Sequence, residues 1–284
     1  MYSVFDAHVD TLLRVRSSES FMEGDNSTSL DIPRARKSGV THLVTAICAE
    51  AEADPRKAFE TGISRFKEVS EDSSVELLLM LEGCQPLMEC SDPEEVMEDL
   101  KVASLTWNGR NGLGCGIGCL GGLTAEGREL AVKQAEHDVL LDVSHLSDRA
   151  REELLEMGLP TVATHCNCRS LCESPRNLPD EDIRRIADSG GVVGITFVPD
   201  FLGSKASLDD IISHLEYLVE LAGVECGGFG SDYDGVKVLP EGVEDCTVWP
   251  KLFERLDKRG WSGDDIQAVA SKNWKRVFNI ERRA

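Results

Sequence analysis

The chain has 284 residues, of which 41% are hydrophobic and 29% are charged, and its formal net charge is −21. This composition suits a globular protein with a large buried core. The negative charge argues against nucleic acid or an anionic membrane as a partner, because both would be repelled.

The first 15 residues lack the basic start and the long apolar run of a signal peptide. No stretch approaches the roughly 18 consecutive apolar residues of a membrane-spanning helix. We therefore expect a cytoplasmic protein. In that compartment the ten cysteines are predicted to be reduced thiols, and Cys48 and Cys226 are interpreted as small buried hydrophobic residues.

Eight short apolar runs alternate with longer amphipathic segments along the chain. Strands that are buried on both faces have continuous apolar sequences, so the eight runs are predicted to be parallel strands. They cover Val4–Val9, Val40–Cys48, Val75–Leu81, Val102–Thr106, Val139–Val143, Pro160–Thr164, Gly191–Phe197 and Cys226–Ser231.

The amphipathic segments carry helix start signals such as Asp54-Pro55 and Asp92-Pro93. Helices are predicted from Pro55 onward and over residues 92–100, 124–137, 147–157, 180–189, 207–222, 249–259 and 263–278. Eight strand–helix units in a chain of this length are typical of a closed (β/α)8 barrel of the TIM type. The alternative is an open, doubly wound sheet. No break in composition marks a linker, so residues 1–284 are predicted to form a single domain.

Ionisable side chains stand where the predicted strands end, which is where barrel enzymes carry their active sites. His8 and Asp10 are two positions apart, so they would share one face of the first strand. A set of six oxygen and nitrogen ligands exceeds the needs of one tetrahedral zinc ion and suits two metals that share a carboxylate. The set comprises His8, Asp10, Glu82, His145, His165 and Asp232.

Six motifs occur in a fixed order along the chain. They are Asp6-Ala7-His8-Val9-Asp10-Thr11, Leu81-Glu82-Gly83, Asp142-Val143-Ser144-His145, Thr164-His165-Cys166-Asn167, Pro175-Arg176-Asn177-Leu178 and Gly230-Ser231-Asp232-Tyr233-Asp234-Gly235. This ordered set resembles the membrane (renal-type) dipeptidases, a family of binuclear zinc peptidases among the amidohydrolase-like barrels. The similarity runs from residue 4 to about residue 280.

The resemblance implies a zinc-dependent dipeptidase that holds two Zn2+ ions per chain. His8 and Asp10 would bind one ion, His145 and His165 would bind the other, and Glu82 would bridge them. A metal-bridged hydroxide would attack the peptide bond of a dipeptide with a free C-terminal carboxylate. The resemblance also suggests a homodimer.

Two further residues receive roles from the resemblance. Asp232 would be the catalytic carboxylate that handles protons, and Arg176 would receive the C-terminal carboxylate of the substrate. Asp234 could exchange roles with Asp232, which is favoured because it is nearer the strand end.

The chain departs from the family pattern at Leu105-Thr106-Trp107-Asn108. Family members often have Leu-Thr-His there, and that histidine helps to bind the substrate and polarise its scissile carbonyl. The indole of Trp107 can only donate one hydrogen bond, and Asn108 could fill the missing role. Both residues are predicted to bind substrate, and Asn108–Leu123 is predicted to be a glycine-rich functional loop.

Three alternatives remain open at this point. The same metal site could act on N-acyl amino acids, cyclic amides or lactones, because a fold does not fix a function. An inactive metal-binding scaffold is disfavoured by the complete set of ligands. A thiolate zinc or iron–sulfur site is also conceivable. It would use His165, Cys166, Cys168 and Cys172, with Cys115 and Cys119 upstream.

Overall fold

The computed structural model describes residues 2–71 and 73–280. Eight parallel strands lie in the order β6-β5-β4-β3-β2-β1-β8-β7. Ala163, one residue beyond β6, forms a parallel bridge with Val193 in β7, so the ring is nearly closed. The strands are β1 (Val4–Val9), β2 (Val40–Ile47), β3 (Glu76–Glu82), β4 (Leu100–Ser104), β5 (Leu140–Asp142), β6 (Thr161–Val162), β7 (Val193–Ile195) and β8 (Gly227–Phe229). The predicted (β/α)8 barrel is confirmed, and the doubly wound alternative is wrong.

Helices surround the strands. They are α1 (Thr11–Arg14), α2 (Ser18–Glu23), α3 (Ile32–Lys37), α4 (Pro55–Ser70), α5 (Gln85–Glu89), α6 (Pro93–Asp99), α7 (Ala125–Glu136), α8 (Asp148–Glu156), α9 (Asp180–Asp188), α10 (Pro199–Leu202), α11 (Leu208–Ala222), α12 (Trp249–Lys258), α13 (Gly263–Gln267) and α14 (Asn273–Val277). A π-helical segment, Ala268–Lys272, joins α13 to α14. In the described part of the chain, no helix is both long and apolar enough to cross a membrane.

Helix α4 illustrates how local sequence determines an element. The Asp54 side chain accepts a hydrogen bond from the Lys57 backbone N–H, and Pro55 occupies the first turn, where its missing N–H costs nothing. Phe59 and Phe66 are buried on the inner face. By contrast, the four- to six-residue helices α1, α2, α3, α5 and α10 were not predicted, because they are too short to show a helical period.

An aromatic cluster packs at the N-terminal end of the barrel, opposite the strand ends that carry the site. The Phe5 ring stacks on His42 with 5.1 Å between ring centroids, and on Phe278 at 5.3 Å. Burial, with the nearby charge of Lys275, lowers the pKa of His42 to about 4. His42 is therefore neutral in the folded protein at a pH where it would be protonated in the unfolded chain.

This depressed pKa predicts a loss of stability in mild acid. The unfolded state binds the extra proton below about pH 6.5 and the folded state only near pH 4, so stability falls as the pH drops through that window. Between pH 7 and pH 5, we expect the free energy of unfolding of His42→Gln to fall by about 1 kcal/mol less than that of the wild type. The difference is modest because Glu76, 3.1 Å from His42 Nε2, partly stabilises the protonated imidazole. Urea unfolding at both pH values measures the two free energies, and an equal fall in both proteins would contradict the prediction.

Candidate metal centre

The structure brings the six ionisable residues predicted at the strand ends together at one mouth of the barrel. Glu82 is the last residue of β3, and the others follow or end their strands within a few positions. All six are buried. His145 and Asp232 have positive φ angles of 68° and 65°, which are unusual for residues with a side chain. This left-handed backbone turns the chain sharply after β5 and β8, so strain is concentrated at the site.

One carboxylate oxygen is the focus of the cluster. Glu82 Oε1 lies 2.8 Å from His145 Nε2, 3.2 Å from His165 Nε2 and 3.6 Å from His8 Nε2. His8 Nε2 is also 3.6 Å from Asp10 Oδ2. Two overlapping groups of ligand atoms result. They are His8, Glu82 and His165, and His8, Asp10 and Asp232.

The donor atoms fit divalent cations. His145 Nε2 and His165 Nε2 face each other at 3.0 Å, although at most one can offer a proton to the other. Within the described residues, His8 Nε2 and Asp10 Oδ1 are buried and have no hydrogen-bond partner. Such orphaned groups are rare and costly in folded proteins. Nitrogen and carboxylate donors converging in this way are the ligands that zinc takes.

The charge of the site favours a cation as well. Burial opposes protonation of His8, but the carboxylates of Glu82, Asp10 and Asp232 raise its pKa to about 10. Burial, and next the charge of Asp10, raise the pKa of Asp232 well above its usual range. A bound cation would relieve this excess of negative charge.

The outward nitrogens of the histidines are held by hydrogen bonds that select one tautomer. The Thr164 hydroxyl donates to Asp142 Oδ2 at 2.6 Å, so its oxygen must accept from His165 Nδ1, which is 2.8 Å away. Asn108 Oδ1 lies 2.9 Å from His145 Nδ1 and can accept its proton. With Nδ1 protonated, Nε2 keeps a free lone pair for a metal. Asp142 and Thr164 lie in motifs noted in the sequence, but no role was predicted for either.

Removal of this hydroxyl should weaken metal binding. We expect Thr164→Val to lower the zinc affinity by about 10–100-fold, because His165 loses the acceptor that orients it. Competition with a chromogenic chelator measures the affinity. Thr161→Val is the matched control, since the Thr161 hydroxyl donates to Leu159 O and touches no predicted ligand. Equal affinities in the two variants would contradict the orienting role.

Asp232 and Asp234 have different surroundings. Asp232 belongs to a group of ligand atoms, whereas both oxygens of Asp234 accept structural hydrogen bonds, from Ser29 N and Thr11 Oγ1, each at 2.6 Å. Gly235 packs so closely that a Cβ would collide with Asp232 Oδ1 and Asp10 Oδ2. Asp232 therefore lies in the cluster of ligand atoms, whereas the carboxylate of Asp234 joins neighbouring segments.

Arg176 is a buried cation beside the centre. Its Nη2 lies 3.5 Å from His165 O, its Nη1 lies 3.7 Å from Cys166 Sγ, and its guanidinium covers the Phe201 ring at 5.3 Å. Arg176 Nε is buried without a hydrogen-bond partner, and no carboxylate of residues 2–71 or 73–280 lies within 4.0 Å. A buried guanidinium without an anion is suited to bind one from outside.

Trp107 and Asn108 border the centre without reaching the focal oxygen. The Trp107 ring is 6.2 Å from the His145 ring, and Asn108 is engaged by His145. Both also line a cleft of about 740 Å³ that extends along α4 and α5.

Glu50 holds together three segments that line this cleft. Its carboxylate accepts hydrogen bonds from the Gln85 N–H, the Trp107 N–H and Asn111 Nδ2. No sequence pattern indicated a role for Glu50, because its partners come from three separate segments.

The thiolate hypothesis finds no support in the described residues. Neither group of ligand atoms found there contains a cysteine. His165 Nε2 lies 3.2 Å from Glu82 Oε1, on the side of the candidate metal centre. Cys168 Sγ instead lies 3.5 Å from the His214 carbonyl oxygen.

Comparisons with known proteins agree with this architecture. The family model described as membrane dipeptidase (peptidase family M19) matches residues 67–284. An uncharacterized protein in the pqqA 5′ region of Klebsiella pneumoniae is 36% identical over 164 residues, which are 55% of this chain and 60% of that protein. Dipeptidase 3 of Rattus norvegicus is 31% identical over 162 residues, which are 56% of this chain and 33% of that protein. The matches thus cover less than two thirds of either relative.

A solved structure extends the comparison to the fold. The metallo peptidase from Rhodobacter sphaeroides, liganded with a phosphinate mimic of the dipeptide L-Ala-D-Ala, superimposes with a TM-score of 0.86 at 22% identity. The superposition covers 98% of this chain and 99% of that one. At this identity the likeness establishes the barrel fold.

Proposed function

Because the chain belongs to the membrane dipeptidase family, peptidase family M19, we propose that it is a zinc-dependent dipeptidase. Its substrates would be dipeptides with a free C-terminal carboxylate. The observation that carries the proposal is the convergence of three histidine Nε2 atoms on Glu82 Oε1, beside a buried arginine that lacks an anionic partner among the described residues.

Five side chains would hold the metals. His8 and Asp10 are proposed for one zinc ion, His145 and His165 for the other, and Glu82 for the bridge between them. When bound, the two ions would supply the Lewis acidity that activates water at neutral pH and polarises the scissile carbonyl. The protein would keep His145 and His165 in the required tautomer through their Nδ1 hydrogen bonds.

Asp232 would carry the proton. Its carboxylate would take a proton from the attacking water and pass it to the leaving amine. Burial and the charge of Asp10 raise the pKa of Asp232, which makes it a stronger base than an exposed aspartate.

Arg176 would select the substrate. A guanidinium binds a carboxylate through two parallel hydrogen bonds, and Arg176 Nε is free for one of them. Trp107 is proposed to contact the substrate at the edge of the cleft. Asn108 is proposed mainly to orient His145, because its side-chain oxygen Oδ1 already accepts the hydrogen bond from His145 Nδ1.

Hydrolysis of N-acyl amino acids is the second candidate. These compounds also present a free carboxylate next to an amide, so the same guanidinium favours them. Cyclic amides and lactones without a carboxylate are less suited to this pocket. A homodimer and a cytoplasmic location stay predictions from the sequence.

Metal analysis and a substrate panel test the proposal together. We expect about two zinc ions per chain and hydrolysis of dipeptides. The panel includes D-residues at the second position, as in the mimic bound to the Rhodobacter sphaeroides protein. Cleavage of N-acyl amino acids alone would establish the second candidate, and a zinc content near zero would contradict both.

Substitution of Arg176 tests the selectivity. Arg176→Ala should raise the KM for dipeptides and leave the low activity on dipeptide amides unchanged. Arg185→Ala is the control, because Arg185 pairs with Glu181 at 2.8 Å. An unchanged KM would remove Arg176 from the site.

A further inference from the structure

Two cysteines in the glycine-rich loop Asn108–Leu123 form a pair of thiols outside the candidate metal centre. They are Cys115 and Cys119. Their Sγ atoms lie 3.5 Å and 3.7 Å from the same carbonyl oxygen, that of Leu120. Cys115 is buried, Cys119 is partly exposed, and Leu120 is 99% exposed at the tip of the loop. A small reagent can therefore reach Cys119 while Cys115 stands behind it.

A guanidinium group, that of Arg110, lies beside the pair. Arg110 forms an antiparallel backbone bridge with Cys115, and hydrogen bonding to Cys115 and Cys119 raises the pKa of Arg110. In the described part of the chain no carboxylate lies within 4.0 Å of Arg110, although the protein has 51 acidic residues. Gly121 has a φ of 142° and passes so close that a Cβ there would lie 3.0 Å from Cys115 Sγ and 3.4 Å from Arg110 Nη2. Two thiols and one cation are thus packed into a single small space.

We propose that Cys115 and Cys119 are a redox modification site, which hydrogen peroxide or a related peroxide converts reversibly to an intramolecular disulfide. The thiolate is the reactive form of cysteine. The hydrogen bond with Cys115 and burial raise the pKa of Cys119, and the exposed Arg110 guanidinium opposes that rise.

The reaction is balanced by the two thiols and one peroxide. The Cys119 thiolate attacks a peroxide oxygen, the O–O bond breaks, and Cys119 becomes a sulfenic acid while the released hydroxide takes up a proton to become water. The Cys115 sulfur then attacks the Cys119 sulfur, the S–O bond breaks, and a second water leaves. Two electrons pass from the sulfurs to the peroxide, and both thiol protons end in water. An external dithiol reverses the change by thiol–disulfide exchange.

The position of the pair gives the disulfide a structural consequence. Ile117, between the two cysteines, donates its backbone N–H to His145 O at 2.8 Å. Gly109 N, next to Asn108, donates to Ile117 O at 2.7 Å. A disulfide would therefore restrict the motion of residues 115–119, which are hydrogen-bonded to the backbone of His145 through Ile117.

Mass spectrometry of the full chain tests the site. The reduced protein is treated with hydrogen peroxide at pH 8, quenched with N-ethylmaleimide and digested with trypsin. Residues 111–128 form one tryptic peptide that contains both cysteines. We expect this peptide to become about 2 Da lighter and to escape alkylation, and dithiothreitol to restore two alkylated thiols. Peptide that stays fully alkylated, or that accumulates sulfinic acid without a disulfide, would overturn the proposal.

Two variants and a control identify the residues involved. Cys119→Ser should leave Cys115 fully alkylated after peroxide, and Arg110→Gln should slow disulfide formation several-fold. Cys172→Ser is the matched control, because Cys172 is also partly exposed and its thiol faces a carbonyl oxygen, that of Asp200. It should oxidise at positions 115 and 119 like the wild type. Unchanged kinetics in Arg110→Gln would remove Arg110 from the site, and protection of Cys115 in Cys119→Ser would overturn the pairing.

Discussion

Replacing Glu82 with glutamine is expected to abolish both metal retention and hydrolysis. Three histidine nitrogens lie within 3.6 Å of Glu82 Oε1, so this one oxygen is a common partner of all three histidines. A neutral amide has the same shape but cannot supply the negative charge that two bridged cations need. Loss of the metals removes several kcal/mol of transition-state stabilisation, so kcat/KM should fall by about 10³ or more.

The measurement is zinc content by atomic emission after gel filtration, together with hydrolysis of the best dipeptide. Glu89→Gln is the matched control, because Glu89 lies on α5 and accepts only from Gln85 Nε2, at 2.7 Å, among the described residues. We expect this control to bind zinc and turn over like the wild type. A Glu82→Gln protein that kept two zinc ions and full turnover would exclude Glu82 as the bridge.

The position of Glu82 could be predicted because local sequence carries that information. A buried parallel strand reads as an apolar run, and Glu82 is the first charged residue after Leu77–Leu81. Their position near the end of a predicted strand located His8, His145 and His165. The bounds of β1, Val4–Val9, were predicted without error, whereas β6 (Thr161–Val162) and β7 (Val193–Ile195) are shorter than predicted.

The hydrogen bonds that orient the ligands could not be predicted. His145 depends on Asn108, 37 positions away, and Thr164 depends on Asp142, 22 positions away. These pairs exist because β4, β5 and β6 are neighbours in the barrel. A single sequence shows which residues end each strand, but it does not show which side chains meet across adjacent strands. For the same reason the isolation of Arg176 from every described carboxylate became visible only in three dimensions.

Geometry also refines how the ligands are shared. The resemblance to the dipeptidases implies that His8 and Asp10 bind one metal, that His145 and His165 bind the other, and that Glu82 bridges them. In the structure His8 belongs to both groups of ligand atoms, with Glu82 and His165 and with Asp10 and Asp232. Because His8 is shared by both groups, a variant at His8 should disturb both of them. Asp232 belongs to the group that contains Asp10 and not to the group that contains Glu82.

Asp232→Asn is expected to separate proton transfer from metal binding. Asparagine keeps the shape of aspartate but cannot accept a proton at neutral pH. The backbone bond from Asp232 N to His8 O, 3.0 Å long, does not involve the side chain and should persist. We expect zinc content near that of the wild type and a fall in kcat/KM of about 10²–10⁴, the usual contribution of a positioned general base.

Asp234→Asn is the matched control for this experiment. Its carboxylate accepts from Ser29 N and Thr11 Oγ1 and holds two segments together, so its loss should lower the midpoint of thermal unfolding and leave the kcat of the folded fraction largely intact. If Asp232→Asn lost zinc together with activity, Asp232 would be a ligand, and the second group of donor atoms would be a true metal site. If Asp234→Asn lost turnover with zinc and stability unchanged, the two aspartates would have to exchange roles.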